Sequence, residues 1–156
     1  MALCNGFKVT VCDPRPEYIE TWAVNGVERI VGMPDDVVRD FTVDRRTCIV
    51  ALSHDPKLDD LALLEALHGP AFYIGAIGSR RNSQLRRERL IEHFGETPAS
   101  LERLHGPIGI YIGSKTPPEI TVSVMAEILA AKNGVSLPRE FSIARSKAFE
   151  GLPESR

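Results

Sequence analysis

Short apolar runs alternate with longer polar or amphipathic segments along the chain. The four clearest runs, rich in strand-forming residues, span residues 7–12, 47–52, 71–76 and 108–113, and a weaker strand is expected over 26–31. Runs that are apolar throughout are typical of strands covered on both faces of a parallel sheet. The pattern therefore predicts an α/β fold, with a doubly wound, mostly parallel sheet flanked by helices in a single domain.

Capping residues and prolines mark the helices between these runs. Helices are expected over residues 34–41, 56–69, 79–94 and 117–132, with a weak or irregular helix over 17–25 and a short one over 98–104. Thr116 and Glu119 form a capping box around Pro117, the first helical position. The helix that follows is apolar nearly all round, which predicts burial at a domain or subunit contact and hence a homo-oligomer. We expect a domain over 1–134 and a tail over 135–156.

In two helices, the residue spacing predicts which side chains face the core and which face solvent. In the helix over 56–69, a core-facing stripe is expected from four leucines, namely Leu58, Leu61, Leu64 and Leu67. In the helix over 79–94, most of the arginines are expected to lie on a solvated face. These arginines include Arg86, Arg87 and Arg89.

The stretch from residue 71 to 82 changes from a strand to a basic helix start across two glycines. Gly75 and Gly78 lack a Cβ, so they permit a tight turn and close approach of a ligand to the backbone. Ser79 is the expected N-cap, and the positive end of the helix dipole would face a ligand above the strand. Arg80 and Arg81 place cations where the dipole alone favours acids. This pattern indicates a cradle for phosphate or carboxylate; the alternative is a tight turn with two solvated arginines.

Polar side chains also follow the first two strands. In dinucleotide-binding folds an acid at the position of Asp13 binds a ribose diol and a nearby Arg binds a phosphate, so Asp13 and Arg15 are candidate ligand-binding residues. The other interpretation is a plain Asp-Pro turn. After the second strand, His54 can act as acid, base or hydrogen-bond donor to a ligand, or can be hydrogen-bonded within its loop. Asp55 before Pro56 predicts an N-cap.

Composition narrows the class of protein. The 156 residues are 43% hydrophobic and 26% charged, which is ordinary for one soluble domain. A net charge of −2, and basic residues without interleaved aromatics, argue against nucleic-acid binding. The three cysteines lack C-x-x-C spacing, so we expect no disulfide framework and no metal site, which favours a reducing cytoplasm. No apolar run approaches the ~20 residues of a membrane span.

Four separated blocks resemble the Rossmann domain of the xanthine dehydrogenase accessory proteins, the XdhC/CoxI family. They follow one another in order over about residues 6 to 130. The blocks are Val9-Thr-Val-Cys-Asp-Pro-Arg15; Ser53-His-Asp-Pro56 with Leu58-Asp59; Tyr73-Ile-Gly-Ala-Ile-Gly-Ser-Arg-Arg81; and Gly106-Pro-Ile-Gly109 with Gly113, Thr116-Pro-Pro-Glu-Ile120 and Ala126-Glu-Ile128.

The resemblance implies a maturation factor rather than an enzyme, and it leaves catalytic residues unknown. Such a protein binds the molybdenum cofactor (molybdopterin), protects it during sulfuration and delivers it to a xanthine dehydrogenase-like molybdoenzyme, with a cysteine desulfurase or sulfurase as a further partner. Molybdopterin carries a phosphate, which agrees with the anion cradle. The motif positions carried over, all at strand ends or helix starts, are Asp13, Arg15, His54, Asp55, Gly75, Gly78, Ser79, Arg80, Arg81, Gly109, Gly113, Thr116 and Glu119.

Three departures from the family pattern bear on this transfer. Ser53 replaces a usual Thr and keeps the hydroxyl, whereas Tyr111 stands where an acid or amide is usual. The chain also starts at Met1 inside what would be the first helix, without the first strand and its Gly-rich loop. That strand is central in the order 3-2-1-4-5-6, so we expect a gap between the strands over 7–12 and 47–52, and weaker binding. The chain is then a fragment, or the two strands pair directly, or a partner chain supplies the strand.

Two other functional classes remain open at this point. The fold permits an NAD(P)-dependent oxidoreductase, although fold analogy alone is weak support. A pure interaction module, with the apolar helix segment 120–129 as its contact surface, is the third hypothesis.

Overall fold

Two parallel sheets, one of two strands and one of three, form the centre of the computed structural model, which describes residues 1–53, 55–138 and 141–143. The first sheet pairs β1 (Val9–Asp13) with β2 (Val27–Val31). The second has the order β3 (Cys48–Ala51), β4 (Tyr73–Ala76), β5 (Leu104–His105). All of these ladders are parallel, as the apolar runs predict.

Helices connect the strands, as the predicted alternation requires. They are α1 (Pro16–Glu20), α2 (Pro34–Asp40), α3 (Pro56–Leu67), α4 (Arg80–Phe94) and α5 (Pro117–Lys132), with 3-10 turns at Leu3–Asn5 and Ser100–Arg103. Among these described residues, no helix combines the length and the apolar character needed to cross a membrane.

The three-stranded sheet is covered on both faces. Alternate residues of β3 point to opposite sides, so Ile49 packs in the cluster with α3 and α4, whereas Cys48 packs in the cluster with α5. Ile74 and Tyr73 divide in the same way along β4, whose residues are all buried. This arrangement confirms the predicted Rossmann-like, doubly wound class.

The two sheets are not joined by hydrogen bonds between strands. Within the described residues, β1 pairs with β2 alone and β3 pairs with β4 alone, so direct pairing of β1 with β3 does not occur. The side chains of β1 are only half-buried, unlike those of β4. The expected gap between these strands is thus present.

The last strand differs from its prediction. Strand β5 is the dipeptide before Gly106, and residues 108–113 form an irregular loop in which Ile110 makes an isolated antiparallel bridge with Ser142. Gly109 and Gly113 adopt φ values of +102° and +71°, which interrupt extended pairing. The apolar run is therefore a loop packed against α5 and not a strand.

The core-facing stripe of α3 was predicted correctly for Leu67 and wrongly for the other three leucines. Leu63, Ala66 and Leu67 are buried, whereas Leu58, Leu61 and Leu64 are only partly covered. The helix is rotated because Asp59 and Asp60 point inward to ion pairs with α4, as described below. The predicted division into a domain over 1–134 and a tail over 135–156 is untested, and residues 144–156 lie outside the described part.

Candidate functional site at the carboxyl edge of the three-stranded sheet

The turn from β4 to α4 has the predicted capping geometry. The Ser79 side chain accepts a hydrogen bond from the Asn82 N–H at 3.1 Å, and Gly95 ends the helix with φ +72°. Gly78 has φ +150°, a conformation that favours glycine. Both Gly78 and Ser79 are exposed, so the helix start with its positive dipole end is accessible to a ligand.

A buried hydroxyl lies beside this turn without a hydrogen-bond partner. Ser83 is only 5% exposed, and its Oγ makes no hydrogen bond within the described part of the chain. A Cβ added to Gly106 would lie 3.3 Å from this Oγ, and one added to Gly78 would lie 4.0 Å from it. The hydroxyl thus lies close to two glycine positions and is shielded from solvent. An unsatisfied buried hydroxyl is costly, so a site with this feature favours an additional acceptor or donor.

The arginines of the turn differ in their surroundings. Arg80 is half-buried and its Nε donates to the Ile143 carbonyl at 2.8 Å, whereas the Arg81 side chain is exposed. Ile143 also lines a cavity of about 290 Å³ formed by residues 110–115. The loop that holds Gly113 and the turn that holds Arg80 are therefore neighbours.

The predicted capping box at the start of α5 is present. Glu119 Oε2 accepts hydrogen bonds from the Lys115 and Thr116 N–H groups at 2.7 and 2.9 Å. These bonds lower the pKa of the Glu119 carboxyl below its ordinary value. Gly113 and Thr116 therefore have structural reasons for their identities, and ligand contact at these positions stays a prediction.

Asp13 and Arg15 bind each other. Asp13 is the last residue of β1, and its carboxylate accepts from the Arg15 backbone N–H at 2.9 Å and from Nε and Nη2 at 2.8 Å each. The Arg15 guanidinium also lies 4.1 Å from the Tyr18 ring centroid. Hydrogen bonds from Arg15 lower the pKa of the Asp13 carboxyl. The pair stands at a strand end as predicted; its carboxylate is already hydrogen-bonded by Arg15, whereas the exposed guanidinium keeps further N–H donors.

The loop after β3 is connected to the buried charges of the helices. Asp55 caps α3 by accepting from the Lys57 N–H at 2.9 Å, which confirms that prediction. Asp59 accepts from the Ser53 N–H at 3.3 Å and so ties this loop to α3. His54 lies outside the described residues, and its proposed role stays a prediction.

Gly75 has a packing role within β4. A Cβ at this position would lie 2.5 Å from Ile108 Cγ2 and 2.7 Å from Tyr73 Cε1, distances that real Cβ atoms do not show. Gly75 is buried in the strand, whereas Gly78 is at the turn. Of the two glycines, only Gly78 adjoins the accessible surface.

The arginines of α4 correct the prediction of a solvated face. Arg86 is buried, and its Nη2 and Nε donate to Asp59 at 3.0 Å and Asp60 at 2.9 Å. Arg89 also reaches Asp60, at 2.7 Å, and Arg87 donates to the backbone carbonyls of Leu101 and of Leu104, the first residue of β5. Helical spacing could not show this, because the carboxylates that bury these cations come from another helix.

A polar cluster next to the site was missed by sequence reasoning. Glu127 of α5 accepts from the Tyr73 hydroxyl at 2.7 Å and from the Gly109 N–H at 2.5 Å, and it contacts His105 Nδ1 at 3.0 Å. The i, i+4 polar line through Ser123 and Glu127 was the available signal. Ser123 donates to the Ile110 carbonyl, whereas Glu127 contacts Tyr73 of β4 and His105 of β5. In the described residues, no group of three or more His, Cys, Asp or Glu is arranged to hold a metal ion.

The chain belongs to the XdhC family: the XdhC Rossmann domain matches residues 1–128. A Bacillus subtilis protein named as a probable xanthine dehydrogenase component is 28% identical over 88% of this chain and 39% of its own length. The molybdenum cofactor insertion chaperone PaoD of Escherichia coli is 29% identical over 58% of this chain and 28% of its own. The uncharacterized protein YqeB of Escherichia coli is 43% identical over 48% of this chain and 14% of its own.

A solved structure has the same fold. A crystal structure described as a xanthine dehydrogenase from Bacillus halodurans matches 85% of this chain and 39% of its own, with a TM-score of 0.72 and 28% identity. The chain thus spans well under half the length of these relatives.

Proposed function

We propose that this XdhC-family chain binds the molybdenum cofactor through its phosphate at the turn between β4 and α4, for insertion into a xanthine dehydrogenase-like molybdoenzyme. The single observation that carries the proposal is the buried Ser83 hydroxyl without a partner, beside the exposed start of α4. The names of two relatives, a cofactor insertion chaperone and a probable xanthine dehydrogenase component, support the choice of cofactor and client.

The residues at the turn fit a phosphate group. A phosphate offers several strong acceptors, and the Ser83 hydroxyl can donate to one of them once the group displaces the turn around Gly78 and Gly106 enough to reach this buried atom. The helix start supplies oriented N–H groups, and Arg81 supplies charge from the exposed side. The Ser79 hydroxyl accepts from the Asn82 N–H as the helix cap and keeps its own hydrogen to donate to the phosphate. Binding here requires no metal ligand from the protein.

The structure also gives a reason for the site to be rigid. The buried ion pairs of Arg86 and Arg89 with Asp59 and Asp60 fix α4 against α3. A cradle on a fixed helix binds without the cost of ordering a loop. The protein's part in this function is binding and orientation rather than bond making, so we propose a non-catalytic carrier.

Several finer points belong to the same proposal. Asp13, Arg15, His54 and Asp55 are proposed to contact the remainder of the cofactor from the strand ends of β1 and β3. A cysteine desulfurase as a second partner, a homo-oligomeric state and a cytoplasmic location are also proposed. No observation on the described residues favours an NAD(P)-dependent reaction over cofactor carriage.

Calorimetric titration of the protein with molybdopterin under anaerobic conditions tests the proposal. We expect saturable binding that inorganic phosphate weakens by competition. A parallel titration with NADH serves as the matched control, because NADH is also a large heterocyclic compound that carries phosphate. Saturable NADH binding without molybdopterin binding would support the oxidoreductase hypothesis and contradict cofactor carriage.

A further inference from the structure

A short segment after α5 lies against the irregular loop that precedes this helix. The segment comprises residues 141–143 and is called the strap below. Its middle residue, Ser142, forms an antiparallel bridge with Ile110, and the Phe141 carbonyl accepts a hydrogen bond from the Tyr111 N–H at 2.7 Å. The strap is therefore fixed to this loop through its backbone.

The last residue of the strap contacts the proposed phosphate site. Arg80 is the first residue of α4, and its Nε donates to the Ile143 carbonyl at 2.8 Å. Arginine binds phosphate most strongly through two parallel N–H donors, and Nε belongs to one such pair of the guanidinium. While Nε is bonded to Ile143, that pair is not available to a ligand.

The strap is held with little apolar burial. Phe141 is 49% exposed, and Ser142 and Ile143 are only half-buried, so none of the three residues belongs to the hydrophobic core. Ile143 also lines the cavity of about 290 Å³ formed with residues 110–115, so the strap is not closely packed against this loop. Segments with few buried apolar contacts open at a low cost in free energy. Release of the strap therefore requires much less than unfolding of the domain.

We propose that the strap is an autoinhibitory element, whose Ile143 carbonyl competes with a bound phosphate group for the Arg80 guanidinium, so that phosphate binding releases the strap. This inference rests on the proposed function, because it concerns regulation of the same β4–α4 turn. The carbonyl is a neutral acceptor, whereas phosphate is charged and forms the stronger hydrogen bond with arginine. The apparent affinity of the site is its intrinsic affinity reduced by the fraction of molecules in which the strap is open.

Amide hydrogen exchange tests the release of the strap in the full chain. The Tyr111 N–H donates to the strap, whereas the neighbouring Ile110 N–H donates to the Ser123 carbonyl of α5 at 3.3 Å and is the matched control. Exchange of both amides is followed by NMR in inorganic phosphate and in sodium chloride at equal ionic strength. We expect phosphate to make the Tyr111 N–H exchange several-fold faster and to leave the Ile110 N–H unchanged, because only the first bond is lost when the strap opens.

A disulfide that locks the strap tests the competition itself. Ile110 and Ser142 lie opposite each other in the antiparallel bridge. Cα atoms of such pairs are about 4.5–5.5 Å apart, a distance that a disulfide spans. The variant is Ile110→Cys with Ser142→Cys, and Cys4→Ser removes the exposed native thiol. Each single cysteine variant in the Cys4→Ser background is a matched control. Phosphate affinity is measured from the shifts of α4 amide resonances in the oxidised protein and again after reduction with dithiothreitol.

We expect the oxidised double-cysteine variant to bind phosphate about tenfold or more weakly than its reduced form, the worth of one hydrogen bond to a charged group, with no such change in the single variants. Equal or tighter binding by the oxidised form, or unchanged Tyr111 exchange in the phosphate-saturated wild type, would overturn the inference and leave the proposed function intact. If phosphate causes no saturable shift of the α4 amides in the wild type, both the phosphate site and its regulation by the strap are contradicted.

Discussion

The strand ends of β1 and β4 are both followed by arginine side chains, and the two regions differ in how their hydrogen bonds are satisfied. At the end of β1, Asp13 and Arg15 form a closed pair in which the carboxylate accepts every hydrogen bond from one neighbour. Beside the turn that follows β4, Ser83 Oγ is buried with no partner in the described residues, close to the Cβ positions of Gly78 and Gly106. Hydrogen-bonding capacity that a fold leaves unused at a strand end is better support for a ligand site than charge alone.

The two regions also differ in the strands and helices that hold them in place. The β4 end rests on a fully covered strand and on α4, which buried ion pairs fix to α3. The β1 end rests on a two-stranded sheet with half-buried side chains. Ligand binding at the β4 end should therefore depend on a rigid framework. Three substitutions separate the contribution of this framework from that of the groups that bind the ligand.

The largest expected effect is that of Arg86→Met. Removing Arg86 leaves the buried Asp59 without its ion-pair partner and Asp60 with Arg89 alone, so we expect the free energy of unfolding to fall by about 3–5 kcal/mol. Urea denaturation followed by circular dichroism measures this loss. Arg15→Met is the matched control at the β1 end, where the arginine is well exposed and a much smaller change is expected. Equal losses would contradict the described difference between the two regions.

A smaller effect on stability is expected from Arg81→Glu. This variant should be more stable than the wild type but should bind molybdopterin more weakly. An acid in the first turn of α4 interacts favourably with the helix dipole and should stabilise the free protein by about 0.3–1 kcal/mol. The same change places negative charge beside the proposed phosphate and should weaken molybdopterin binding about tenfold or more. Lys57→Glu makes the same charge change at the equivalent position of α3 and controls for net charge. If both variants bind equally weakly, the cradle is not at α4.

The smallest effect on stability is expected from Ser83→Ala. It removes a buried hydroxyl that has no partner, so the free energy of unfolding should stay unchanged or rise by up to about 1 kcal/mol, while affinity falls several-fold. Ser123→Ala is its control, because that buried hydroxyl donates to the Ile110 carbonyl at 2.6 Å and its loss should destabilise the protein by about 1 kcal/mol. A clear destabilisation by Ser83→Ala would show that the hydroxyl already has a partner in solution.

The sequence was informative wherever local rules decide the structure. Ser79, Asp55 and the Thr116–Glu119 box cap their helices as predicted, because capping depends on residues within one turn. The family match and the parallel sheets were also accessible from motif order and apolar runs. What could not be predicted depends on distant partners: the inward face of α3 follows from Arg86 of α4, and the contact of Glu127 with His105 joins α5 to β5.

The loop over residues 108–113 could not be predicted for the same reason, because its structure depends on distant partners. Its apolar residues resemble a strand, yet Ile108 packs in the α5 cluster, and the Gly109 backbone approaches Ser123 so closely that a Cβ would lie 2.3 Å from its Oγ. Tertiary contacts of this kind override a short apolar pattern. Sequence reasoning correctly selected the β4–α4 turn as a capped helix start, but it could not identify Ser83, since a buried hydroxyl without a partner is a property of the folded chain.

The most direct test of the central claim is the thermal unfolding midpoint with and without molybdopterin, for the wild type and for the double variant Arg80→Ala with Arg81→Ala. A ligand that binds only the folded chain raises the midpoint. We predict a concentration-dependent rise in the wild type that is largely lost in a folded double variant. The same rise in both proteins would contradict a cofactor site at the β4–α4 turn, and no rise in either would contradict cofactor binding by this chain.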